Sequence, residues 1–168
     1  RFRQKVVLRN PDYTLVSDTL NYFSASKVAF IKGPTTITGK DKYVYAEEGW
    51  YDTRAEISSL KTNVFIRNKD RTLAADSVYY EEEPAFGRAF RDIIAQDTTR
   101  KVILTGEFAE YNDSLGFAFI TGKARALFYD QSDTLFLHAD TLRLTFDTAD
   151  QAKFLYAFPK AKFFRTDL

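Results

Sequence analysis

One pattern constrains this chain more than any other: an acid preceded by a small residue recurs five times in register. The acids are Asp18, Glu47, Asp76, Glu107 and Asp140, spaced 29, 29, 31 and 33 residues apart. Immediately before them stand Ser17, Ala46, Ala75, Gly106 and Ala139. Three positions before each acid lies a large apolar residue: Leu15, Val44, Leu73, Leu104 and Leu137. Four positions after lie Tyr22, Tyr51, Tyr80, Tyr111 and Leu144. A period of this length means similar supersecondary units that bury their apolar faces on one another.

The units read as β. Apolar residues alternate at period two, with Val, Ile, Tyr, Phe and Thr enriched, and turn formers interrupt them every 8 to 12 residues or so. Turns are expected at "RNPD", "TGKD", "RNKD", "AQDTTR" and "YDQSD", where Asn, Gly, Pro and Asp supply turn chemistry. Each unit is expected to run short strand, tight turn, longer strand, turn, strand. The segment "AEEGWYDTRAEISSLK" has some helical character, but Gly49 interrupts it and it aligns with strands elsewhere, so it too is assigned β. Within a unit, the residues three and one before the acid share a parity, whereas those two and four after it have the other. On a regular strand these sets face opposite sides. A bulge at the acid swaps the faces, and the small neighbour favours that solution. The expected fold is all-β: a rolled, twisted β-jellyroll or open sandwich of about five stacked repeats of 29–33 residues.

Composition narrows the function classes. The 168 residues suit one domain, and 45% apolar content suits an ordered core. A net charge of +1 gives no electrostatic case for nucleic acid. Without cysteine there is no thiolate metal site, disulfide or cysteine nucleophile. No apolar run approaches the 18 or so residues of a membrane-spanning helix. The chain starts at Arg1 and ends in "KAKFFRTDL", just after a new apolar stretch. It therefore reads as one domain, residues 1–168, of a longer exported chain whose leader is either removed or outside this sequence.

No catalytic constellation emerges. An enzyme needs one cluster of groups, whereas an acid copied once per unit builds a ladder. The acids read instead as carboxylates that bond backbone amides at a bulge. A calcium ladder would need the glycine-rich repeat, which is absent. His138, the single histidine, cannot make a multi-histidine metal site, and no G-x-S-x-G elbow occurs. No cofactor or metal is expected. "EEEP" at 81–84 reads as a solvated loop, and Trp50 as cross-strand packing. The basic ends, "RFRQK" and "KAKFFR", either meet lipid phosphates or protect sheet edges. Asp-Ser/Thr-apolar triplets at 18–20, 76–78, 113–115, 133–135 and 140–142 are similar to the O-glycosylation triplet of exported proteins in some Gram-negative bacteria, although three of them are the repeat itself.

The segments "KVILTGEFAEYN" (101–112), "TLAADSVYY" (72–80) and "LFLHADTLRL" (135–144) resemble the OstA/LptA family of periplasmic lipopolysaccharide-transport proteins. The resemblance implies a non-enzymatic β-jellyroll whose apolar groove shields the acyl chains of lipid A in the periplasm. It also implies partners of the same fold, joined by edge-strand addition, and a head-to-tail homo-oligomer. The candidate lipid-binding residues are Leu15, Ile37, Val44, Ile66, Leu73, Leu104, Phe128 and Leu137. Two other readings stay open: a secreted β-helix protein acting on polysaccharide, and a structural repeat protein that polymerises without cargo.

Overall fold

The computed structural model describes residues 2–9, 11–130, 133–146 and 152–167. They form strands and turns. The first six strands are β1 (Phe2–Arg9), β2 (Tyr13–Phe23), β3 (Val28–Gly39), β4 (Lys42–Asp52), β5 (Ile57–Asn68) and β6 (Arg71–Glu81). The others are β7 (Phe86–Asp97), β8 (Val102–Asn112), β9 (Phe117–Tyr129), β10 (Asp133–Phe146), β11 (Ala152–Phe158) and β12 (Lys162–Asp167). All belong to one open antiparallel sheet in chain order. β11 pairs the second half of β10 and β12 its first half. The two therefore fill a single strand position, interrupted at residues 159–161.

The expected β assignment of the Gly49 segment holds, since it forms most of β4 and the start of β5. The unit itself differs from expectation. The stretch following each tyrosine and the short strand before the next turn are one long strand. "VAFIKG" and Ile37, for example, both belong to β3. Each unit is thus a plain hairpin of two long strands. Sequence periodicity lost this because a kink resets the alternation in mid-strand. Turns close the hairpins at one end at residues 11–12, 40–41, 69–70 and 98–101. The other end has four-residue turns at 24–27, 53–56, 82–85 and 113–116. Gln131 and Ser132 of the fifth expected turn lie outside the described residues.

The predicted bulge is present at all five acids. Pairing register shifts between Ser17 and Thr19, Tyr45 and Glu48, Ala74 and Ser77, Thr105 and Phe108, and Ala139 and Thr141. The faces swap there. Ala75 and Val78, on opposite parities, are both buried and share one core cluster with Leu73. The same cluster takes Ala139 and Leu142.

Each of the first four bulges faces a kink on the following strand. Fifteen residues after the first four acids come Gly33, Thr62, Arg91 and Gly122. Their φ values are 90°, 65°, 59° and 82°. Asn63, Asp92 and Lys123 continue the left-handed turn at 56°, 51° and 58°. A non-glycine residue in this region is uncommon, and a pair in succession sharply redirects the chain. Bulge and kink together bend every hairpin at the same height, so the sheet rolls along one line. Inside the roll the residues before the acids are small: Ala46, Ala75 and Ala139 are at most 6% exposed. Ile93 and Val64 fill the space opposite them at 1% and 2%.

Candidate functional site: the inner apolar face

Register pairing connects the predicted lining residues into one row. Leu8 pairs Leu15, which pairs Ile37, then Val44, Ile66 and Leu73. From Leu73 the row continues through Ala95, Leu104, Ala126 and Leu137 to Phe163. Seven of the eight candidates, Leu15, Ile37, Val44, Ile66, Leu73, Leu104 and Leu137, therefore lie side by side across the sheet. Phe128 does not. It pairs Val102 and Leu135, two residues nearer the hairpin turns, while Ala126 occupies the row in β9. Both still face the core cluster.

Beyond the bend the inner face carries a second row that the candidate list omitted. Tyr22 pairs Ala29, then come Tyr51, Ser58, Tyr80, Gly87, Tyr111, Ala118, Leu144 and Leu155 in turn. Large rings alternate with small residues from strand to strand. The recurring aromatic four positions after each acid was the available signal. Because the bulge swaps parity, Leu73 and Tyr80 lie on the same side of the sheet, one in each half of the roll.

The inner surface is not sealed. Leu8 is 41% exposed, Tyr22 44%, Tyr80 37% and Phe163 63%. Both rows thus keep apolar residues open to solvent, the first at its edge-strand ends and the second beside the hairpin turns. Burial pushes the phenols of Tyr51 and Tyr80 up, and the Glu82 carboxylate adds to the shift in both. Both phenols accordingly stay uncharged at neutral pH.

Three of the five acids bond side chains, and none bonds the backbone amides expected at a bulge among the described residues. Asp76 pairs with Arg91 of the opposing kink. Glu47 Oε1 accepts from Asn63 Nδ2 at 2.8 Å, and Asp140 lies 3.7 Å from Lys160 Nζ. Their environments differ from one unit to the next, as structural positions do. No group of three metal-ligating side chains occurs among the described residues. His138 sits in β10 between Arg125 and Lys162. Trp50 lies between Phe30 and Ser59, and Glu82 and Pro84 of "EEEP" are in an exposed turn. At the basic end, Lys160 faces Asp140 and Arg165 holds Asp133 at 2.5 Å. The side chains of "RFRQK" lie outside the described residues.

The described residues thus form an open, unclosed antiparallel sheet with an apolar inner face. Residues 1–76 match the family model described as OstA-like protein. The match ends inside "TLAADSVYY"; the other two segments that carried the resemblance lie beyond it and repeat the same bulged strand. No curated protein sequence matches the chain. Among solved structures it is similar to LptH of Pseudomonas aeruginosa, the LptA homologous periplasmic component of a lipopolysaccharide transport device. The identity is 11%, the match covers 90% of this chain and 93% of that one, and the TM-score is 0.33.

Proposed function

We propose that this chain is a non-enzymatic module that shields lipid acyl chains, those of lipopolysaccharide, during transport across the periplasm. The observation that carries the reading is the unsealed pair of apolar rows running across the sheet. The OstA-like match over residues 1–76 supports the cargo and the compartment. A chain laid across the rows would lose water from each methylene, worth about 0.8 kcal/mol apiece. Leu15, Ile37, Val44, Ile66, Leu73, Leu104, Phe128 and Leu137 would line one half of the groove. Tyr22, Tyr51, Tyr80 and Tyr111 would line the other.

Photo-crosslinking amino acids at Leu73, Leu104 and Tyr80 should capture lipopolysaccharide in cells, while one at outward-facing Lys61 should not. Silence at all three inner positions sinks the proposal. The groove would be extended by strand addition at the open edges, since unpaired strand edges template another chain. That predicts a solution mass that rises with protein concentration in light scattering. A constant monomer mass at all concentrations removes the homo-oligomer and leaves the lipid proposal intact.

A further inference from the structure

Five Asp-Ser/Thr-apolar triplets lie among the described residues; they are chemically alike in sequence, and the fold separates them. In three, the acid is the bulge and the apolar residue is core: Leu20, Val78 and Leu142 are 4%, 6% and 2% exposed. Their hydroxyl residues are half-buried inside strands, and Thr141 Oγ1 is bonded to Thr121 Oγ1 at 2.8 Å. Thr134 lies inside the sheet between Tyr129 and Thr166, and Asp133 is held by Arg165. The fold explains these four triplets completely.

Asp113-Ser114-Leu115 is different. It occupies the four-residue turn between β8 and β9, outside the ladder. Leu115 is 70% exposed, the most exposed large apolar side chain among the described residues. Nothing in the fold accounts for it, and a lone leucine at a turn tip costs solvation without giving packing. The turn is nevertheless held in shape. Asn112 Oδ1 accepts from the Leu115 amide at 3.0 Å, and the Asp113 carbonyl accepts from the Gly116 amide at 3.0 Å. Asp113 Oδ1 accepts from the Tyr111 hydroxyl at 2.9 Å. The Ser114 hydroxyl has only a long contact, 3.4 Å to the Pro84 carbonyl. Ordered turn, exposed hydroxyl and projecting apolar side chain together make a surface that a modifying enzyme can grip without unfolding the sheet.

We propose that Ser114 is an O-glycosylation site, with Asp113 and Leu115 as the recognition elements. A separate transferase would move a sugar from an activated glycosyl phosphate donor. The bond between Ser114 Oγ and the sugar C1 forms, the C1–O bond to the donor phosphate breaks, and the hydroxyl proton passes to the transferase's base. The donor leaves as its free phosphate or diphosphate. The site requires export of the chain but not lipid binding, so the two proposals fail independently.

The test is the intact mass of the full chain recovered from its native exported state. The wild type should exceed its sequence mass by one glycan. Ser114→Ala should lose that increment entirely while keeping the wild-type thermal midpoint, and Ser114→Thr should retain it. Thr19→Ala and Thr141→Ala should leave it unchanged. A wild type at its sequence mass overturns the proposal. So does an increment that survives in Ser114→Ala, for example at Thr148, whose Asp-Thr-Ala triplet lies outside the described residues.

Discussion

Two residues show how tightly the bend is specified. Gly122 has φ +82°, and a Cβ there would lie 2.6 Å from Glu107 Cβ. Gly33 occupies the equivalent kink at +90°, but its Cβ would lie 3.2 Å from Asp18 Cβ. Both backbones are left-handed, so the difference lies in crowding by the acid. Gly122→Ala should cost about 1–3 kcal/mol, and Gly33→Ala measurably less, in urea midpoints. Equal losses would mean that backbone conformation alone sets the cost. Asp97 supplies a pH-dependent element at the same scale. Burial pushes its carboxyl up, but the Arg100 amide at 2.8 Å, the Arg100 guanidinium and Arg71 together bring it below the usual range. A lowered folded pKa favours the ionised, folded form. Its contribution is therefore complete above the ordinary aspartate value near 3.8 and fades as pH falls below that. Asp97→Asn should lower stability by about 1 kcal/mol at neutral pH. The gap to wild type should close in acid, and a gap constant with pH would contradict this origin.

At the scale of the strand, the sequence exposed the bulge but not the kink. The bulge left a readable trace because small residue, acid and opposite-parity apolar residues recur in one short window. The kink left little. Gly33-Pro34 and Gly122 are legible as breakers, whereas Thr62-Asn63 and Arg91-Asp92 carry no glycine or proline; Asn63 and Arg91 contact the acids on the neighbouring strand. The same blindness applies to the four-residue turns, where Lys27, Glu56 and Ala85 take φ values of 62°, 56° and 57°. Missing the kink split one strand into two short ones. Phe128 directly precedes "YDQSD" as Ile37 precedes "TGKD" and Ile66 precedes "RNKD", yet pairing register places Ala126 in the row. The tyrosine row was visible as a repeat, yet its place on the lining depends on the parity swap.

At the scale of the molecule, every hairpin carries its own bend, and neighbours meet only along their shared edge. Stability in such arrays is close to a sum of unit and interface contributions. Removing residues 48–76 would join Glu47 to Ser77 and leave each remaining acid opposite a kink. That shortened chain should fold into the same roll, with an unchanged β signal in circular dichroism and a modestly lower thermal midpoint. An unfolded product would mean that the bend is set by the whole sheet instead.

The acid and kink also separate two quantities that most binding sites link. The distance from the bend to either hairpin end fixes the gauge of the trough, and the number of hairpins fixes its length. Insertion or loss of whole units changes the length of the trough without changing its width. A sheet built this way can be lengthened or shortened while its cross-section stays constant.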